Sequence, residues 1–329
     1  MPGLLKTAIT SVGVSLPEKR LTNSDLEKMV ETSDNWIVSR TGIRERRILG
    51  KERAASDLSV DAGMQALKGT ALNAEEIDLI IVCTSTPDFP VPSTACVVQD
   101  AMGATRAAAF DLNAGCTGFV YGLAVGRQFV ESGTCENVMV IGVDIISRIV
   151  DWEDRATCVL FGDGAGAAIL QPTNAGRGFL ATDLRSDGSG AEMLIVPAGG
   201  SRLPASETTV KGKEHFVRMN GNEIFKFAVR VIEDITVNLL KKADEEVESL
   251  DLLFLHQANS RIIEAARRRL GLPAEKVPIN IDRYGNTSAA SIPISLHESV
   301  EDGTLKKGDL VAMVAFGAGL TSGGVLLEW

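Results

Sequence analysis

The sequence predicts an α/β protein assembled from two related halves, and three observations carry that prediction. Short apolar runs alternate with helical periodicity along the whole chain rather than gathering at one end, which points to mixed layers. Segments of the first half recur in the second in the same order and at nearly constant spacing. Finally, 329 residues, of which 45% are apolar, suffice for two packed units with a large shared core.

In chain order, Glu76-Ile77-Asp78-Leu79-Ile80-Ile81-Val82 reads as a charged helix end entering a buried strand. Ser249-Leu250-Asp251-Leu252-Leu253-Phe254-Leu255 repeats it 173 residues later. A helix ending at Met102-Gly103 is matched by one ending at Leu270-Gly271; glycine closes both because it enters the left-handed region without a Cβ clash. Gly115-Cys116-Thr117 then falls opposite Gly285-Asn286-Thr287, and the strand 138–143 opposite 310–315. Phe161-Gly162-Asp163-Gly164 falls opposite Phe316-Gly317-Ala318-Gly319. The expected division is residues 1–172 and 173–329. Two halves related by a pseudo-twofold axis bring equivalent loops together where they meet, a common place for a ligand pocket. Between these landmarks, Ser24-x-x-Glu27 reads as a capping box, a helix over 117–132 stops before Gly133, and 198–214 reads as an irregular surface excursion.

Composition narrows the function classes. The longest apolar runs, 79–83 and 138–143, are too short to cross a bilayer, and the amino terminus lacks a basic segment followed by an apolar core, so no membrane or export role is expected. Five irregularly spaced cysteines resemble neither a disulfide framework nor a paired metal motif, which fits a reducing cytoplasm. A net charge of −10 argues against nucleic acid as a partner, although a local basic patch would still matter.

Cys116 follows a strand expected to be buried, 108–112, and precedes a helix, so it sits at a helix amino terminus. Unpaired N–H groups and the macrodipole favour an anion there, and a stabilised thiolate is expected. Gly115 and Gly118 leave room for a substrate, while Gly118, Gly122 and Gly126 share one helix face. Each glycine costs roughly 1 kcal/mol relative to alanine, so that face is expected to pack closely against another backbone. Taken alone, Cys116 is as readily a buried structural cysteine, the reading given to Cys83, Cys96, Cys135 and Cys158. His256 ends a buried strand and is followed by polar residues; a satisfied structural histidine is its alternative. Asn286 lies where the second half repeats the position of Cys116, although Gly285-Asn286 alone is simply a good turn. His215 and His297 receive no role.

A cysteine, a histidine and an asparagine without a carboxylate base restrict the chemistry. Histidine and asparagine can both donate to one thioester carbonyl and so stabilise an enolate, while a cysteine thioester supplies an electrophile. A hydrolase with the same three residue types is the competing reading, separable by its product, a free acid rather than a longer thioester.

The residues Asn113-Ala114-Gly115-Cys116-Thr117-Gly118, Phe161-Gly162-Asp163-Gly164-Ala165-Gly166-Ala167, His256-Gln257-Ala258-Asn259, Tyr284-Gly285-Asn286-Thr287-Ser288-Ala289-Ala290 and Phe316-Gly317-Ala318-Gly319 together resemble β-ketoacyl-[acyl-carrier-protein] synthase III of the thiolase-like superfamily. The likeness spans essentially the whole chain. It implies a five-layered αβαβα fold, a homodimer, and no metal or organic cofactor. It implies ping-pong chemistry: an acyl-CoA acylates Cys116, and malonyl-acyl carrier protein is then decarboxylated with help from His256 and Asn286 and attacks the acyl-enzyme. Backbone N–H groups of Cys116 and Ala318 match the family's oxyanion hole, with alanine where glycine is frequent. Within Trp36-Ile37-x-x-Arg40-Thr41-Gly42-Ile43, Trp36 and Arg40 match CoA contacts, as do Arg155 and Asn222. Val91 matches the residue that closes the partner subunit's acyl pocket, with Phe89 two residues away. Arg261, Arg267, Arg268 and Arg269 form the local basic patch and are read as a dock for an acidic carrier protein. Related condensing enzymes of polyketide or signalling-molecule synthesis, and a noncatalytic acyl-binding subunit, are the neighbouring functions.

Overall fold

Among the described residues strand and helix alternate to form two main sheets with matching strand order, beside two small two-stranded sheets. The computed structural model describes residues 6–174 and 178–329; the first five residues of the amino terminus, read above for a leader, lie outside them. The first sheet contains β1 (Lys6–Ser15), β2 (Leu79–Cys83), β3 (Ala108–Leu112), β4 (Val138–Ile145) and β5 (Asp163–Thr173) in the order β1-β5-β4-β2-β3. The second contains β6 (Gly178–Arg185), β7 (Leu252–Leu255), β8 (Leu310–Gly317) and β9 (Thr321–Glu328) in the order β6-β9-β8-β7. In each, one parallel pair (β2 with β4, β7 with β8) continues into an antiparallel partner (β5, β9). β3 alone lacks a counterpart, since residues 277–280 form no strand.

Among the described residues the longer helices are α1 (Asp34–Thr41), α2 (Ala55–Lys68), α3 (Thr94–Ala101), α4 (Gly118–Glu131), α5 (Gly221–Lys242), α6 (Ser260–Arg269) and α7 (Ser291–Glu301). Successive side chains of a strand point to opposite faces, so a strand covered on both faces reads as a continuous apolar run. Leu79, Ile81, Val138 and Val140 pack inward on Phe119 and Leu123 of α4, in one core with Ile292 and Leu296 of α7 and with Phe254 and Met313 of the second sheet. Ile80, Val82, Met139 and Ile141 face the outer layer of α2 and α3. Leu253, Leu255, Ala312 and Val314 face α5 and α6. The result is the five-layered αβαβα arrangement.

α4 is closely packed for the reason its glycines give, although the neighbours are side chains rather than another backbone. A Cβ on Gly118 would lie 3.1 Å from Cys83 Cβ, one on Gly122 would meet Cys83 Sγ and lie 2.7 Å from Val140, and one on Gly126 would lie 2.9 Å from Leu170.

Three local expectations are corrected. The capping box is formed by Thr22 and Asp25, whose side chains and backbone bond reciprocally, because Asn23 is already helical and Ser24 falls inside the turn. Residues 198–214 contain a short helix, Glu207–Lys211, capped by Ser206. β3 is only half-buried, because it is the edge strand and no strand among the described residues pairs with its outer edge. The expected closures do hold: Gly103, Gly133 and Gly271 all take positive φ just beyond their helices.

Candidate active site

Cys116 lies between the end of β3 and the start of α4, where two glycines press a second loop against it. A Cβ on Gly317 would lie 2.7 Å from the Cys116 nitrogen, and one on Gly115, at φ +58°, would lie 3.0 Å from the Ala318 nitrogen. The backbones of Cys116 and Ala318 are therefore neighbours. Gly319, at φ +73°, takes the left-handed turn of that loop, so alanine at 318 is unstrained.

Cys116 is half-buried and borders two cavities. Its Sγ lies 3.3 Å from the Ser288 hydroxyl. Burial pushes the Cys116 thiol up to about 12, opposed by the Ser288 hydroxyl and reinforced by the negative charge of Asp144. The helix amino terminus is there, but burial works against the resting thiolate expected from it.

His256 follows β7 and is buried, with its ring edge-on to Phe316 at 5.3 Å between centroids. Its Nδ1 lies 2.7 Å from Ser291 Oγ, which also accepts the Gln257 N–H at 3.3 Å. When the Ser291 hydroxyl donates to Nδ1, Nε2 carries the imidazole hydrogen. Burial lowers the His256 pKa to about 3, so the ring is a neutral donor.

Asn286 is held from both sides, its N–H on Leu160 O at 2.9 Å and its carbonyl accepting the Gly162 N–H at 3.0 Å. Gly285, at φ +66°, has no room for a side chain, since a Cβ would lie 2.9 Å from Leu160 O. The Asn286 Oδ1 accepts the Ser288 N–H at 2.9 Å, which leaves the Nδ2 hydrogens for the cavity. Ser288 itself stands at φ +52°, a conformation that costs a non-glycine residue about 1–3 kcal/mol and recurs at functional sites.

Cys116, His256 and Asn286 share the wall of one narrow cavity of about 100 Å³, with Phe225 and Phe316. Cys116 also borders a wider cavity of about 470 Å³, largely apolar, lined by Ile146, Ile149, Leu194, Val196 and Val217. A thiol at the junction of an apolar chamber and a channel bearing two neutral donors suits acyl transfer followed by enolate chemistry.

The remaining candidates are dispersed. Arg155 stacks on Trp36, its guanidinium carbon 5.0 Å from a ring centroid, and donates to Glu31 O. Arg40 is exposed at the end of α1, where its carbonyl accepts the Asn259 side chain. Asn222 is exposed one residue after Gly221, which lines the narrow cavity. Val91 is 84% and Phe89 52% exposed, and neither borders the two cavities. Arg267 is committed internally, bonded twice to Glu264 and once to Leu272 O, while Arg269 pairs with Glu233. Arg261, over the Phe225 ring, and Arg268, with its side chain 73% exposed, border an open cleft on α6. Glu264, between Arg267 and Arg268, is held down to about 2.

Ser288, Ser291, Asp144 and the apolar chamber wall were not singled out from sequence. Ser288 sits inside a motif that was and Ser291 directly follows it, but serine carries no signal until its neighbours are known.

The family model for 3-oxoacyl-[acyl-carrier-protein] synthase III matches residues 110–188, and that for the synthase III C terminal matches residues 240–329. A β-ketoacyl-[acyl-carrier-protein] synthase III of Natranaerobius thermophilus is 55% identical, covering 98% of each chain. Another, of Caldanaerobacter subterraneus subsp. tengcongensis, is 53% identical over 99% of this chain and 98% of its own. The crystal structure of 3-oxoacyl-[acyl-carrier-protein] synthase III from Aquifex aeolicus VF5 superposes with a TM-score of 0.91 at 47% identity, covering 98% of this chain and all of that one.

Proposed function

The chain belongs to the 3-oxoacyl-[acyl-carrier-protein] synthase III family, and on that premise we propose which residues carry its reaction. It is an acyltransferase that condenses an acyl-CoA primer with malonyl-[acyl-carrier-protein], releasing carbon dioxide and giving 3-oxoacyl-[acyl-carrier-protein], and so initiates fatty-acid synthesis. Cys116 is the nucleophile. Its sulfur attacks the primer carbonyl, the N–H groups of Cys116 and Ala318 hold the oxyanion, CoA leaves, and the acyl chain rests in the apolar chamber. Malonyl-carrier protein then enters the narrow cavity. His256 Nε2–H and Asn286 Nδ2–H hold its thioester carbonyl, loss of carbon dioxide leaves the enolate on those donors, and its carbon attacks the acyl-Cys116 carbonyl.

The observation that carries this reading is that two neutral donors, each fixed by a serine behind it, border the same narrow cavity as the cysteine. Trp36 and Arg155 are assigned to the adenine end of CoA, with Arg40 and Asn222 along the approach. Arg261 and Arg268, supported by Arg267 and Arg269, are assigned to the acidic carrier protein. A homodimer is supported by the half-buried edge strand β3, whose unpaired backbone groups invite a second strand, and by exposed Phe89 and Val91. Val91 is assigned to the partner's acyl chamber. Among the described residues no helix is long and apolar enough to cross a membrane; with five free cysteines and CoA as a substrate, we place the enzyme in the cytoplasm. Product analysis after incubation with acyl-CoA and malonyl-carrier protein tests the reading. A carrier thioester longer by two carbons is expected; free acid alone would make the protein a hydrolase.

A further inference from the structure

Among the described residues the largest fully buried side chain is an arginine, Arg46, in the short strand Glu45–Arg47 that pairs with Arg20–Thr22. Burial lowers it to about 10, so it keeps its charge at neutral pH. Glu45, the carboxylate next to it in the chain, lies 3.4 Å from Arg20 instead. The hydrogen bonds of Arg46 go to neutral oxygens. Nη1 donates to Leu21 O at 3.1 Å and to Asn23 Oδ1 at 2.8 Å, Nη2 donates to Val159 O at 2.7 Å, and Nε has no partner among the described residues. These bonds and the arginine stem bear on the loops of Asn286. Val159 precedes Leu160, whose carbonyl accepts the Asn286 N–H, and the Gly162 N–H closes the same bridge on Asn286 O. A Cβ on Gly162 would lie 3.1 Å from Arg46 Cβ, and one on Gly285 would lie 3.2 Å from it, so the stem fills the space beside both glycines. Arg44 N, two residues earlier, donates at 2.9 Å to Asp282 O in the turn that leads to Gly285. Arg46 thus lies against both segments that fix Asn286, while bordering neither cavity.

We propose that Arg46 is a positioning residue for Asn286, pinning Val159 O with its guanidinium and spacing residues 160–162 from 285–286 with its stem. Burying an arginine away from a carboxylate costs stability, and what offsets that cost is the geometry its bonds fix. Hydrogen bonds from a charged donor are shorter and roughly twice as strong as neutral ones, and the planar fork reaches residues 21–23 and Val159 at once. Lysine offers a point charge in place of that fork, and an apolar side chain offers nothing to Val159 O. Substrate meets Asn286 and not Arg46, so loss of the arginine displaces a donor rather than removing one. A displacement of about 1 Å in a reacting site can cost as much as a hundredfold in rate. The oxyanion donors assigned to acylation, the Cys116 and Ala318 N–H groups, belong to other loops. Decarboxylation therefore depends on Arg46 far more than the primer half-reaction does.

This role rests on the reading of Asn286 as a thioester donor, and the experiment separates the two. Release of carbon dioxide from malonyl-carrier protein is measured in the Cys116→Ala background with Arg46→Met, with Asn286→Ala and with both. Asn286→Ala is expected to slow release about a hundredfold, as one lost oxyanion donor does. Arg46→Met is expected to slow it about tenfold by misplacing that donor. The double variant should be no slower than Asn286→Ala alone, since no donor is left to place. With Cys116 present, Arg46→Met should take up an acyl group from acyl-CoA within about threefold of the wild-type rate in single turnover. A merely structural role would slow both half-reactions alike, and its penalty would multiply with that of Asn286→Ala. Should Arg46→Met not fold, Arg46→Lys, which keeps the buried charge, and Asn23→Ala, which removes one acceptor of Nη1, run the same cycle with effects of about threefold in the same direction. Undiminished release in the folded variants, penalties that multiply, or acylation slowed as much as decarboxylation overturns the role of Arg46. Undiminished release in Asn286→Ala instead overturns the reading of Asn286 as a donor.

Discussion

Burial pushes the Cys116 thiol up to about 12, and the two donors that share its narrow cavity are neutral. Decarboxylation asks only for those donors. Cys116→Ala is therefore expected to abolish condensation while retaining release of carbon dioxide from malonyl-carrier protein. Adding His256→Ala should cut that residual release about a hundredfold to a thousandfold, the 2.7–4 kcal/mol typical of one lost oxyanion donor. A histidine held near 3 is neutral well above that value, so the residual rate in Cys116→Ala should stay flat between about pH 5.5 and 8. An acid limb near the ordinary histidine value would mean that the ring acts charged. Cys116, His256 and Asn286 were legible because each ends a strand or sits beside a turn glycine at equivalent places in the two halves. Ser288, Ser291 and Asp144 were not, because their roles depend on a left-handed turn and on contacts between segments far apart in the chain. The burial that works against the expected thiolate was hidden for a related reason: a helix amino terminus is visible in sequence, whereas the depth at which it is buried is not.

Helices and their ends carry the next level. Glycine closures and the glycine face of α4 could be read directly, since a residue without a side chain at regular spacing has few other uses. The capping box slipped by two positions because Thr22 and Ser24 are both good caps and only the hydrogen bonds choose between them. The basic end of α6 read as four equivalent arginines, but Arg267 closes its own helix on Leu272 O and on Glu264. That contact leaves Arg261 and Arg268 as the pair facing the cleft. Arg261→Glu combined with Arg268→Glu is expected to raise the KM for malonyl-carrier protein about tenfold and to flatten its dependence on salt, with acyl-CoA kinetics unchanged. Unchanged carrier kinetics would remove α6 as the docking face.

For the whole molecule, the matching strand orders explain why a repeat was visible in the sequence, while the five layers, with α4 and α7 between the sheets, were implied by the family resemblance. β3 was read as buried because an apolar strand looks the same whether its own chain or a second copy covers it. Phe89 and Val91 project from the same side of the sequence, between β2 and α3, and the proposed dimer gives their exposure a purpose. Val91→Phe should reduce kcat/KM for branched or longer primers more than for acetyl-CoA, by a factor within the roughly 10 to 200-fold that pocket filling provides. An equal effect on all primers would deny Val91 a place at the acyl chamber. The central claim, that Cys116 carries the primer between two half-reactions, is tested most directly by intact mass after mixing with acyl-CoA, followed by peptide mapping and addition of malonyl-carrier protein. The expected result is one acyl group on the peptide containing Cys116, discharged with release of carbon dioxide and formation of 3-oxoacyl-carrier protein. An acyl group on Cys83, Cys96, Cys135 or Cys158, or one that malonyl-carrier protein leaves in place, would contradict it.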